Sequence, residues 1–191
     1  DGWHAGEMSE FYSWQTNVLA IYGALAHRDQ YDAIFDKLFT DDAPYELFAS
    51  GESNNPYFKY FVLETAFSLG RRRWAFNLMR YYWGEMLRRG ARTWWELFDP
   101  ESNDDELLGI SFSHGYGTSP NSYLCTELAG IRPAEPGMTR AIFSPAVEEA
   151  GWVRAQIPTP YGRILVEWEF LPSGDLRAVI DANYPFEVVP M

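Results

Sequence analysis

The chain has 191 residues, 47% of them hydrophobic and 17% aromatic, and a formal net charge of −12. That acidity argues against nucleic acid and anionic membrane as partners, because phosphate recognition needs clustered Lys and Arg, and the one basic run, Arg71–Arg73, is short. One cysteine, Cys125, rules out an internal disulfide, and no apolar run reaches the ~20 residues of a membrane-spanning helix.

The opening "DGWHAGEMSEFYSW" reads like the interior of a folded protein, without a leader, so the sequence is expected to be a piece of a longer polypeptide. Any targeting signal would then lie upstream of Asp1, and the compartment, cytoplasmic or secreted, stays open. From Glu7 to about Ala129 the pattern is helical. Phe11, Trp14, Val18, Ile21, Tyr22 and Leu25 recur at three-to-four spacing in a first helix, for which Ser9 is the expected N-cap. Tyr31, Ile34, Phe35 and Leu38 mark a second. Pro56 opens a third, "PYFKYFVLETAFSLG", which Gly70 stops, and a fourth, "RRRWAFNLMRYYWGEMLRRG", ends at Gly90. "SPNSYLCTELAG" is the fifth, stopped at Gly130.

Helices of this length with short glycine-punctuated turns predict antiparallel hairpins. The longer loops, Ala43–Asn55 and Ala91–Thr118, fall at alternate junctions, which places them at one end of the array. Two prolines and a glycine in "IRPAEPGMTR" then mark a boundary. Beyond it, residues alternate with period two through Ile164–Phe170 and Leu176–Ile180, separated by the turn Pro172–Gly174. Four or five antiparallel strands are expected, forming a small sheet or sandwich. The expected fold class is therefore α+β, with a helical domain over 1–130 and a β-sandwich domain over 131–191.

The chemistry-bearing stretch is "RTWWELF", Arg92–Phe98, where Glu96 follows Trp94 and Trp95. Tryptophans can stack on a sugar ring and can form a low-dielectric wall that tunes a carboxylate for proton transfer. The structural alternative is an ion pair between Glu96 and Arg88, Arg89 or Arg92. Because structural ion pairs outnumber catalytic carboxylates, residue types alone favour that alternative. A second cluster, "SFSHGYGTSPNS", presents His114 between glycines ahead of a helix, with Gly115 and Gly117 permitting close approach of a ligand. The bland reading is a flexible loop.

His4, His27 and His114 are too scattered for a metal site, and no nucleophile elbow or phosphate loop is present, so no cofactor is implied. The acidic run Ser102–Glu106 has the composition of a solvated loop more often than of a Ca²⁺ site. Glu10, Ser13 and Gln15 offer hydrogen bonds near Tyr12 and Trp14, but such residues usually cover the outside of a helix.

The ordered motifs resemble the bacterial α-L-rhamnosidase family. They are "NPYFKY", "YYWGEMLRRGARTWWE", "SHGYGTSP", "AGIRPAEPG" and "PTPYGRILVEWE", and they span most of the chain. The resemblance implies the late helices of an (α/α)6 six-hairpin barrel followed by a C-terminal β-sandwich. It implies that Glu96 is the general base of inverting hydrolysis. His114 and Trp95 would contact a rhamnose-containing glycoside or oligosaccharide, with Trp94 and Tyr116 beside them. Tyr116 stands where the family commonly has Trp. The family's general acid lies in an early barrel motif that this sequence lacks, so an upstream segment is expected to supply it, and the chain alone is expected to be inactive. The competing reading is a non-catalytic carbohydrate-binding or scaffold module. On that reading Phe11, Ile21, Phe61 and Phe67 should be buried within the chain. An (α/α)6 polysaccharide lyase is a third and weaker reading.

Overall fold

The computed structural model describes residues 13–39, 55–100 and 111–189. These form an α+β chain of five α-helices followed by two three-stranded sheets, and the chain divides into two compact units, Asp1–Ser119 and Pro120–Met191.

In the first unit, helix α1 spans Trp14–Tyr22. Its N-cap is Ser13, whose extended backbone lets the hydroxyl accept the Thr16 N–H at 3.4 Å. The expected cap, Ser9, lies outside the described residues. A short 3₁₀ turn, Arg28–Gln30, leads into α2, Tyr31–Leu38. Helix α3 spans Pro56–Ser68, with Pro56 in the first turn and the Asn55 side chain accepting the Tyr57 N–H at 2.7 Å. Helix α4 spans Arg72–Arg88.

Both α3 and α4 close with paired backbone bonds around a left-handed glycine. Arg71 N–H reaches Ala66 O and Gly70 N–H reaches Phe67 O, with Gly70 at φ +73°. Ala91 N–H reaches Met86 O and Gly90 N–H reaches Leu87 O, with Gly90 at φ +90°. Only a residue without Cβ takes that conformation at little cost, which is why glycine ends both helices. Along α4 the buried residues Trp74, Ala75, Leu78, Met79, Tyr82, Trp83 and Met86 form one continuous stripe at helical spacing. Of the faces singled out by sequence, Ile21 is buried, Phe61 and Phe67 are half-buried, and Phe11 lies outside the described residues.

In the second unit, α5, Ser119–Tyr123, runs into a π-helical turn, Leu124–Leu128, closed by Ala129 N–H to Leu124 O. The strands are β1 (Ile131–Pro133), β2 (Arg140–Phe143), β3 (Trp152–Thr159), β4 (Gly162–Phe170), β5 (Leu176–Ala182) and β6 (Glu187–Val189). They form sheets ordered β1-β2-β6 and β3-β4-β5. Ile131 and Ala141 from the first sheet share a core with Ile157, Ile164, Val166 and Trp168 from the second. Two features exceed the expectation of four or five antiparallel strands: the described residues hold six, and β6 pairs with β2 in parallel. Three-residue strands are too short to show alternation, and pairing direction leaves no local trace.

Candidate functional site

Two segments of irregular chain, residues 93–96 and 111–114, clasp each other in the helical unit. His114 N–H donates to Trp94 O at 2.8 Å and Glu96 N–H to Ser111 O at 2.9 Å. The Thr93 hydroxyl donates to Phe112 O. The clasp brings Glu96 and His114, eighteen positions apart in sequence, into one site. Ser111 N–H donates to Glu96 Oε2 at 3.1 Å, while Oε1 lies 3.9 Å from His114 Nε2. Both side chains keep roughly a third of their surface open, 35% for Glu96 and 29% for His114. The carboxylate is thus oriented by the backbone and still reachable by water or ligand.

The imidazole is oriented as well. Tyr116 N–H donates to His114 Nδ1 at 3.2 Å, so that nitrogen carries the lone pair and the ring proton sits on Nε2, facing Glu96. Aromatic rings extend the site. The Tyr116 ring lies edge-on to His114 at 4.2 Å between centroids, and the Tyr57 ring lies 4.8 Å beyond it. Tyr57 and Tyr116 are exposed, 51% and 45%, and suit a stacking surface. Trp95 does not: it is buried, edge-on to Phe98 and Phe112 at 5.4 Å each. Trp94 is half-buried and lies against Gly117, where a Cβ would come within 2.5 Å of the Trp94 Cβ. Gly117 O also accepts the buried indole N–H of Trp83 at 2.9 Å. The loop carrying His114 can follow this path only with glycine at 117.

The ion-pair alternative loses two of its three arginines, since Arg88 and Arg89 both bond Glu85, at 2.6 and 3.2 Å. Ser13 and Gln15 bond each other at the start of α1. Glu10 and the Ser102–Glu106 run lie outside the described residues. Among the described residues no group of His, Cys, Asp or Glu has the geometry to hold a metal ion, and no helix is long and apolar enough to cross a membrane.

Sequence reading passed over Tyr57 and the layer beneath it. The signal for Tyr57 was present in its place, directly after an Asn-Pro helix start. Lys59, one turn into α3, is fully buried. Its ammonium donates to Asn55 O at 3.3 Å and sits 4.0 Å above the Tyr82 ring. Burial pulls the Lys59 pKa down to about 7, partly opposed by the Asp99 carboxylate. Burial also pushes the Tyr82 phenol far up, with Asp99 adding to the rise, and the Phe98 backbone bonds its hydroxyl. These contacts tie the start of α3, where Tyr57 sits, to the segment just after Glu96.

Residues 130–188 match the family model for the bacterial alpha-L-rhamnosidase C-terminal domain. This α+β chain of helices and small antiparallel-rich sheets is thus of the kind found in rhamnosidase C-terminal regions. Over residues 130–188 the chain thus resembles that C-terminal domain, and more broadly it is similar to bacterial α-L-rhamnosidases. It is 32% identical over 114 residues to the alpha-L-rhamnosidase of Alteromonas sp. (strain LOR), a stretch covering 56% of this chain and 12% of that protein. It is similar to the solved GH78 family rhamnosidase of Bacillus sp. GL1, with a TM-score of 0.77 and 25% identity, over 96% of this chain and 19% of that one. The Streptomyces avermitilis alpha-L-rhamnosidase, solved in complex with L-rhamnose, shares the fold with a TM-score of 0.68 and 19% identity, over 93% of this chain and 18% of its own. The chain therefore spans less than a fifth of the length of each of these relatives.

Proposed function

We propose that this chain supplies the base side of the active site of an inverting glycoside hydrolase that cleaves terminal α-L-rhamnosides. On this reading residues 1–130 are the late portion of an (α/α)6 barrel and 131–191 its C-terminal β-sandwich domain. The observation that carries the reading is the Glu96–His114 pair, oriented by two backbone N–H groups and bordered by open tyrosine rings.

Glu96 takes the proton from a water that attacks the anomeric carbon as the leaving oxygen departs from the opposite face. Ser111 N–H holds Oε2, which leaves Oε1 for the water. The Nε2–H of His114 donates to a sugar hydroxyl beside it, Tyr116 and Tyr57 stack on the sugar's apolar face, and Trp94 and Trp95 back the loop. Inversion also needs a carboxylic acid roughly 6.5–9.5 Å from the base to protonate the leaving group. A segment upstream of this chain provides it, so the 191-residue chain alone has no useful turnover.

The test is Glu96→Gln in the whole enzyme with an aryl α-L-rhamnoside. The expected result is a kcat lowered by about 10²–10⁴-fold, the usual contribution of a general base. An unchanged kcat would remove Glu96 from the mechanism. The second reading, a non-catalytic carbohydrate-binding or scaffold module, has in its favour the burial of Ile21 within the chain. Turnover by the whole enzyme, lost with Glu96→Gln, would dismiss it.

A further inference from the structure

The outer face of the β3–β4–β5 sheet is not used by anything described above. Strand alternation turns Ile157, Ile164, Val166 and Trp168 into the sandwich core and leaves the other set outside. Register then aligns that outer set in rows. Trp152 lies opposite Glu169, which lies opposite Arg177, and the next row is Arg154, Glu167 and Val179. Rows two residues apart are separated by about 7 Å along the strands. These six residues line a shallow trough of about 350 Å³.

Trp152 is 70% exposed and Val179 is 59% exposed, so apolar surface stands open at both sides of the trough. Between them Arg154 Nε holds Glu167 Oε1 at 2.7 Å, and Arg177 bonds Glu169. A second hollow, lined in part by Gln156, Asp181 and Asn183, continues along the same face. An isolated surface indole is ordinary and exposed ion pairs stabilise little. A flat indole beside an array of planar donors and acceptors is a more particular arrangement, because it matches a ring that is apolar on one face and hydroxylated at its rim.

Charge narrows the choice of ligand. Arg154, Arg163 and Arg177 balance Glu167, Glu169 and Asp181 on a chain whose net charge is −12. A balanced face repels acidic and basic partners less than it favours a neutral one that can bond to both members of each pair. We propose that this face is a carbohydrate-binding surface for a neutral oligosaccharide, with one sugar stacked on Trp152 and the next bonded to the Arg154–Glu167 and Arg177–Glu169 pairs. The choice of rhamnose as the probe sugar rests on the hydrolase reading; the surface itself does not.

The experiment titrates the ¹⁵N-labelled 191-residue chain with a neutral rhamnan hexasaccharide and follows the Trp152 indole N–H signal, assigned by its absence in Trp152→Ala. A saturable shift is expected. Trp152→Ala should weaken binding, read from the amide signals of β3 and β4, by roughly tenfold, the worth of one stacking contact. Trp152→Phe should recover part of the loss, and Arg88→Ala, at an exposed ion pair on the helical unit, should leave the affinity unchanged. Absence of saturation, equal affinity in Trp152→Ala, or preference for an acidic oligogalacturonide would overturn the proposal. Binding lost in Glu96→Gln and kept in Trp152→Ala would also overturn it, assigning the sugar to the helical unit alone. A failed hydrolase reading would appear separately, as an unchanged kcat in the whole enzyme.

Discussion

The helical unit fills its core with Trp83, Tyr82, Phe35 and Phe98, whereas the sheet unit packs Ala129, Ile131, Ala141, Ile164 and Val166 around Trp168. The helical core also takes in Lys59, Thr65 and Asn17; among the described residues of the sheet unit the buried charge is Glu127, bonded to Arg132. Burying a polar group costs free energy that only well-placed partners offset, so a fold retains such groups where they do something an apolar residue cannot. Here Lys59 links the start of α3, which carries Tyr57, to Tyr82 of α4. The sheet core is mostly aliphatic around the Trp168 indole, and its buried carboxylate, Glu127, is held by Arg132. On the proposed function, proton transfer belongs to the aromatic, polar-cored unit and surface binding to the other.

The largest expected effect tests the aromatic side. Trp83→Ala should destabilise the chain by about 3–5 kcal/mol, through the cavity and the lost indole bond to Gly117, in denaturant unfolding. An effect of less than about 1 kcal/mol would mean that the helical core is not organised around that residue. Gly117→Ala comes next. Its Cβ meets Trp94, and a cost of about 1–3 kcal/mol is expected, together with a displaced His114 signal in NMR. A neutral result would show the loop to be looser than its contacts imply.

The third test uses pH. Between about pH 7 and 10.5 the unfolded chain still holds the Lys59 proton that the folded chain has released. The lowered pKa therefore makes folding stability rise with pH across that window, with the full cost of the buried ammonium present below pH 7. Lys59→Met should flatten the rise, by at most about 1.4 kcal/mol per pH unit. An equal slope in both proteins would mean that the ammonium is better solvated than its burial implies. The smallest effect is at the surface. Arg71 bonds Asp32 at 3.0 Å and Asp36 at 2.9 Å across α2, but both carboxylates are exposed and the arginine is only half-buried, so Arg71→Ala should cost under about 1 kcal/mol. A much larger loss would mean that the charged surface shares the load assigned to the aromatic core.

The parts of the fold that could be read from sequence were those with local punctuation. Pro56, Gly70 and Gly90 bracket α3 and α4 because their backbone requirements are written in single residues. Alternation exposed β4 and β5, but β1 and β6 were too short to show any, and the β2–β6 pairing depends on residues 47 positions apart. The candidate site was visible as fragments. Glu96, His114 and the tryptophans stood out by composition, yet their meeting depends on the 93–96 and 111–114 clasp, whose two backbone bonds any residues could form and whose third bond comes from the Thr93 hydroxyl. Lys59 was hidden because a lysine in a helix ordinarily points to water, and only the packing of Tyr82 above it reverses that.

The parallel β2–β6 pair also bears on the order in which the sheet unit folds. The β3–β4–β5 meander needs only neighbouring strands and can form as soon as each tight turn closes. Strand β2 can pair locally with β1, but its other edge stays open until Glu187–Val189 arrives from the far side of the meander. During synthesis or refolding, that edge is an unpaired template for strand addition, and its closure is the slow, long-range step of this unit. Completion of the first sheet therefore depends on the last three described residues of the chain.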